Sequence, residues 1–199
     1  MNFSDTKAAG TLLVVGGVQF IVALIIAEAV YSGYSVSGNF ISDLGVWGQP
    51  SAPVFNPSTM LFGSTVLASS YFINRHFKNR IITVMFALAG AGALGVGIFP
   101  ENTFIVNGIA VLHYISALLG FVVGGFTAIA TYKITKPPFR YLSVILGVAA
   151  LTAAVLFATT RDIGSLGIGV GGMERMMAYP TILWIISFGG YLLGTTNEE

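Results

Sequence analysis

Ala8 to Tyr31 is a run of 24 residues whose only charged member is Glu28, and runs of that kind recur along the chain. Wound as a helix at ~1.5 Å per residue, each can cross the ~30 Å of hydrocarbon in a bilayer. Composition agrees: 55% of residues are hydrophobic and 9% charged, with a mean hydropathy of +0.83, against roughly 25% charged in a soluble domain. The sequence reads as an all-α polytopic membrane protein. Its 199 residues leave room for a six-helix transmembrane bundle with short connections and no separate soluble domain.

The expected spans cover about 8–31, 57–74, 81–99, 103–132, 141–160 and 173–195, forming one membrane domain over 1–199. A cleaved secretory signal is the rival reading of the first, because Ala27-Glu28-Ala29 has the small-x-small form. The apolar run before it exceeds the usual ~7–15 residues of such signals. Asn56 reads as the N-cap of the second span with Pro57 at its first position. Pro100 ends the third, and Pro180 predicts a kink in the sixth.

Charge placement tests the count independently. With six alternating spans, Lys7, Arg75, Lys78, Arg80, Lys133, Lys136 and Arg140, seven of the nine basic residues, share one side, and Arg161 and Arg175 fall opposite. The positive-inside rule then places both termini in the cytoplasm of a multi-pass cell-membrane protein. A net charge of +1 gives no footprint for nucleic acid. Cysteine is absent, and the two histidines, His76 and His113, are expected on opposite sides. No metal site and no cofactor is therefore expected.

The outer face collects Glu28, Asp43, Glu101, Asp162 and Glu174 against Arg161 and Arg175. Glu28 lies about one turn from the outer end of the first span. His113 is placed roughly ten residues, ~15 Å, into the fourth. Ionisable groups among apolar neighbours face a bundle interior or a wet cavity and mark functional sites by default; the competing reading is a neutral histidine that only fixes packing. Glu174 and Arg175 open the sixth span, where a carboxylate suits the helix N-terminus and the arginine can fork onto a phosphate or carboxylate. Capping and ion pairing are equally available to them. Glu28, Asp43, Glu101, His113, Arg161, Glu174 and Arg175 thus form a candidate ligand-binding pocket for a lipid headgroup, and no catalytic residue is assigned.

Gly167 to Gly172, GIGVGG, has no strand before it and reads as a flexible loop rather than a phosphate cradle. GFVVG at Gly120 to Gly124 and AGAGALGVG at Ala89 to Gly97 suit close helix contact in lipid.

ISDLG at Ile41 to Gly45, GIFPE at Gly97 to Glu101, LHYISA at Leu112 to Ala117 and ERMMAYP at Glu174 to Pro180 together resemble the DUF998 family of prokaryotic integral membrane proteins over nearly the whole chain. That family is in turn distantly similar to the six-span Frag1/DRAM/Sfk1 group, which carries an early extracellular ISD element and a histidine in a later span. The resemblance puts Asp43, Glu101, His113, Glu174 and Arg175 at signature positions and implies a shared outer site, associated with lipid in some eukaryotic relatives. It implies no reaction. Asn39 to Pro57 would then fold back as an ordered lid, turning at its glycines and prolines and burying Ile41, Leu44, Val46, Trp47 and Val54; a mobile tether is the alternative.

Three classes of function stay open. Binding or handling of membrane lipids is favoured, because polar residues gather at one mouth without a nucleophile and base at recognisable spacing. The alternatives are an intramembrane enzyme using His113 with a carboxylate, and a small transporter or accessory subunit of a larger membrane complex. Homo-oligomerisation is left open.

Overall fold

The computed structural model describes residues 4–160 and 165–195. Helix α1 is Asp5–Val30, started by Ser4, whose side chain accepts from the Lys7 N–H. A 3₁₀ turn, Ser42–Gly45, precedes α2, Ala52–Phe77, and α3 is Arg80–Ile98. Two short strands, β1 (Ile105–Val106) and β2 (Ile109–Ala110), pair antiparallel before α4, Val111–Leu118. A π-turn, Leu119–Val123, joins α4 to α5, Gly124–Ala130, making one helical passage over Val111–Lys133. Helix α6 is Phe139–Thr160 and α7 is Gly169–Gly194.

Five of these passages are long and apolar enough to cross a membrane: α1, α3, α4–α5, α6 and α7. Helix α2 is as long as α1, with 26 residues, but is richer in polar side chains. Those side chains are satisfied internally. Thr59 donates to the Phe55 carbonyl at 2.7 Å, Thr65 to Phe62 at 2.8 Å, Ser69 to Val66 at 2.7 Å and Ser70 to Leu67 at 2.6 Å, which removes their demand for water. Gln19 of α1 and Ser58 of α2 add an interhelical bond at 2.9 Å, the polar adhesion that apolar surroundings favour.

Neighbours pack in a closed ring: α1 on α2, α2 on α3, α3 on α4–α5, α5 on α6, α6 on α7 and α7 back on α1. Glycines set the closeness. A Cβ on Gly63 of α2 would come within 2.7 Å of the Gly90 carbonyl of α3, and one on Gly10 of α1 within 2.7 Å of the Gly189 carbonyl of α7. One on Gly147 of α6 would come within 2.7 Å of the Gly125 carbonyl of α5. The glycine-dense stretches therefore pack helices within this chain, as small residues do in lipid.

Both described ends lie at one end of the ring. There Asp5 pairs with Arg75 at 3.3 Å, the Lys7 ammonium donates to the Leu193 carbonyl, and the Lys136 N–H donates to the Tyr191 hydroxyl at 3.1 Å. Just inside this end Phe86, Trp184 and Phe188 pack together at centroid distances of 5.4 to 5.8 Å and are fully buried.

Three expected boundaries are corrected. Helix α2 begins at Ala52, so Pro53 rather than Pro57 sits in its first turn and Pro57 lies inside the helix. Asn56 does not cap it: the side chain turns inward and donates to the Gly45 carbonyl at 2.8 Å. The fourth passage begins at Val111 rather than near Thr103, because Asn107 (φ 51°) and Gly108 (φ 78°) close a hairpin turn that ties 105–106 to 109–110. His113 is consequently the third residue of its helix and not ~15 Å deep. Helix α7 starts at Gly169, four residues earlier than expected, and runs through Pro180 to Gly194 as one helix. GIGVGG is therefore partly helical, and Glu174 and Arg175 lie beyond the first turn that a dipole argument needs.

Candidate ligand cavity and its lid

Opposite the termini, residues 31–51 fold over the ring. Ile41 and Leu44 are 5% and 0% exposed, so the segment is packed and ordered, while Trp47 stays 57% exposed. The expected burial of Trp47 is not realised: its N–H and carbonyl are bracketed by the Asn102 amide, each at 3.1 Å, which leaves the indole outside.

The lid is held by the ionisable groups that the sequence singles out. Arg175 Nη1 donates to the carbonyls of Val36 at 2.8 Å, Gly171 at 3.0 Å and Asn39 at 3.4 Å. Its Nη2 donates to a Glu28 carboxylate oxygen at 2.5 Å and to the Tyr34 hydroxyl at 2.6 Å. Tyr34 in turn donates to the Phe40 carbonyl at 2.9 Å, and burial of its phenol pushes the pKa up to about 12. The Gly171 N–H donates to the Ser37 carbonyl at 2.9 Å. A Cβ on Gly171 would drive into the Val36 and Asn39 carbonyls, so the glycine run before Glu174 is the seat of the lid, not a flexible loop.

Each residue of Ile41-Ser42-Asp43 makes a different contact. The Ile41 N–H donates to Glu174, and the Ser42 hydroxyl donates to Glu101 at 2.6 Å. Asp43 accepts from the Phe40 N–H at 2.9 Å and the Asn39 amide at 3.0 Å, closing its own turn. His113, 3% exposed, sets Nδ1 against the Phe99 carbonyl at 2.9 Å and Nε2 3.5 Å from the same Glu101 oxygen that Ser42 uses. Serine and histidine thus converge on one carboxylate instead of lining up as nucleophile, base and orienter. Among the described residues no group of three or more His, Asp or Glu side chains gathers to hold a metal.

Under the lid lies a cavity of about 80 Å³. Its wall from α2 is Phe55, Thr59, Phe62 and Val66, and from α7 Glu174, Ala178, Thr181, Ile182 and Ile185. Each set spans twelve residues, eleven steps of the helix or ~16 Å along the axis. Ser42, His113 and Glu174 lie at the lid end, and Ala89, Val66 and Ile185 at the far end, next to the aromatic plug. A void of that volume drawn out over that length is narrow.

A family model described as "Protein of unknown function (DUF998)" matches residues 14–191. The chain belongs to the DUF998 family. No curated protein and no solved structure matches it. The matched span takes in the lid, all four motifs quoted above and the cavity. What the family's motifs do in this chain is therefore visible: they meet around the lid.

The seven candidate residues separate into roles. His113 and Glu174 line the cavity. Glu101 stands behind Ser42 and His113, Asp43 closes the lid's own turn, and Glu28 with Arg175 clamps the lid to α1 and α7. Arg161 lies outside the described residues, as does Asp162. Sequence reasoning passed over Tyr34, Ser42 and Asn102, because hydroxyls and amides in a polar loop carry no signal until their partners are known. The aromatic liners Phe20, Phe55, Phe62 and Phe121 are indistinguishable in sequence from lipid-facing phenylalanines.

Proposed function

We propose that this integral membrane protein binds a membrane-derived amphiphile in the cavity, chain between the helices and head beneath the lid. On this reading α2 is a sixth span, both termini are cytoplasmic and the lid faces outward, as the charge distribution favours. The observation that carries it is the graded lining: Ser42, His113 and Glu174 at the lid end, then a wall that is apolar but for Thr59 and Thr181, whose hydroxyls donate to their own helices, all within a length of ~16 Å. An entry route from the bilayer is supported by Ile182. That side chain lines both the cavity and a groove between α1 and α7 bounded by Ile21, Ile25 and Leu183.

The test is lipid analysis of protein purified from membranes into a disc of defined phosphatidylcholine. The wild type should retain a stoichiometric amphiphile that Ala93→Phe, which fills the middle of the cavity, loses. Retention of nothing by the wild type, or identical retention by both, defeats the proposal. Hydrolysis is less well supported, since the Ser42, Glu101 and His113 arrangement sets the carboxylate in the middle.

A further inference from the structure

We infer that the cavity selects an amphiphile whose head donates hydrogen bonds, a hydroxyl or an ammonium, and rejects phosphate or carboxylate heads. The inference rests on the amphiphile reading above and narrows it.

The argument is an account of protons. Five polar side chains line the cavity: Ser42, Thr59, His113, Glu174 and Thr181. The Ser42 hydroxyl proton goes to Glu101 at 2.6 Å, that of Thr59 to the Phe55 carbonyl at 2.7 Å and that of Thr181 to the Met177 carbonyl at 3.2 Å. Both ring nitrogens of His113 face protein acceptors, the Phe99 carbonyl and Glu101. Glu174 uses Oε2 to accept from the Ile41 N–H. Its other oxygen has no hydrogen-bond partner among the described residues, although the residue is only 7% exposed and lines the cavity.

The hydroxyls on the wall thus present lone pairs, Glu174 offers an unpaired carboxyl oxygen, and among the described residues no lysine or arginine lines the cavity. A donor head satisfies them. A phosphate or carboxylate head beneath the lid would meet the Glu174 carboxyl and the Ser42 lone pairs with no lysine or arginine among the described lining residues, which a water-poor site penalises strongly.

Among the described residues, the arginine beside Glu174 does not change this. Arg175 is adjacent in sequence to Glu174, but its terminal nitrogens are spent on Glu28, Tyr34 and the lid carbonyls, and it is not on the cavity wall. Of the two roles expected for this arginine, a fork onto a ligand and ion pairing within the protein, its contacts fit ion pairing, and the ligand faces the carboxyl group next to it.

Four probes with one tail separate the possibilities: dodecylamine, dodecanol, dodecanoate and dodecyl phosphate. Each is added at equal mole fraction to the protein in phosphatidylcholine discs, and the thermal midpoint is followed, with Ala93→Phe as the blocked-cavity control. Dodecylamine and dodecanol should raise the midpoint of the wild type and not of Ala93→Phe. The two anionic probes should need about tenfold more, or fail to act, as loss of one charge-assisted bond implies. Glu174→Gln should lose the preference for amine over alcohol while still binding dodecanol; if that variant does not fold, the wild-type ranking decides. Anionic probes that match the amine in a manner abolished by Ala93→Phe overturn the head-group selection and leave the cavity reading intact. No shift with any probe, or equal shifts in Ala93→Phe, overturns the cavity reading itself.

Discussion

Replacing Arg175 with Gln tests whether the lid is a clamped element or a passive loop. The Arg175 side chain is 6% exposed and that of its partner Glu28 is 23% exposed. Removing one member of a buried pair costs about 3–5 kcal/mol, because the partner is left without its counter-charge. Partial exposure of Glu28 places the loss near the lower end, about 3 kcal/mol, even though Nη1 also serves three carbonyls; such bonds within one network do not add. If that loss falls on lid opening, backbone amides over residues 36–45 should exchange with deuterium roughly a hundredfold faster than in the wild type. Amides at the Phe86, Trp184 and Phe188 plug should not change. Arg175→Lys should recover little, since a single ammonium cannot reach acceptors fanned across a guanidinium fork. Glu28→Gln should cost less than Arg175→Gln, because the arginine keeps Tyr34 and the carbonyls. Unchanged lid exchange in Arg175→Gln, or full rescue by lysine, would show that the clamp does not hold the lid closed.

Two further outcomes follow from the same geometry. Gly171→Ala pushes a Cβ into the Val36 and Asn39 carbonyls and should lower stability by about 1–3 kcal/mol in a thermal melt, whereas Gly190→Ala on the same helix, with nothing within 4 Å, should be neutral or gain up to ~1 kcal/mol of helix propensity. The Tyr34 phenol has a folded value of about 12 against 10.0 in the open chain, so its contribution is full below pH 10.0 and disappears as pH rises through 12. Solvent screening of this partly exposed ring keeps the effect to about 1 kcal/mol, and the corresponding fall in melting temperature at high pH should be missing in Tyr34→Phe.

Much of the bundle is legible in the sequence, because each apolar run carries its own requirement to cross hydrocarbon and needs no partner to declare it. Helix starts are less legible. Pro53 and Pro57 both satisfy a first-turn signal, and only the inward bond from Asn56 to Gly45 decides between them. FIVNGIAV at 104–111 is apolar enough for a helix, yet Asn107-Gly108 turns it into a hairpin, and the resulting shift moves His113 from mid-bundle to the cavity mouth. The ionisable residues are visible as anomalies in an apolar chain, but their partners lie far off in sequence: Glu28 and Arg175 are 147 residues apart, and Ser42 and Glu101 are 59 apart. A list of charges therefore reads as one pocket, whereas the fold divides it. The arginine and most of the carboxylates are consumed in holding the lid, and that consumption keeps the arginine off the cavity wall. Because Arg175 must face away to reach Glu28 and the lid carbonyls of Val36 and Asn39, Glu174 beside it on the helix is turned toward the void. Lid closure and head-group preference are then two consequences of one helix register, so a change that frees Arg175 from the lid should weaken both together.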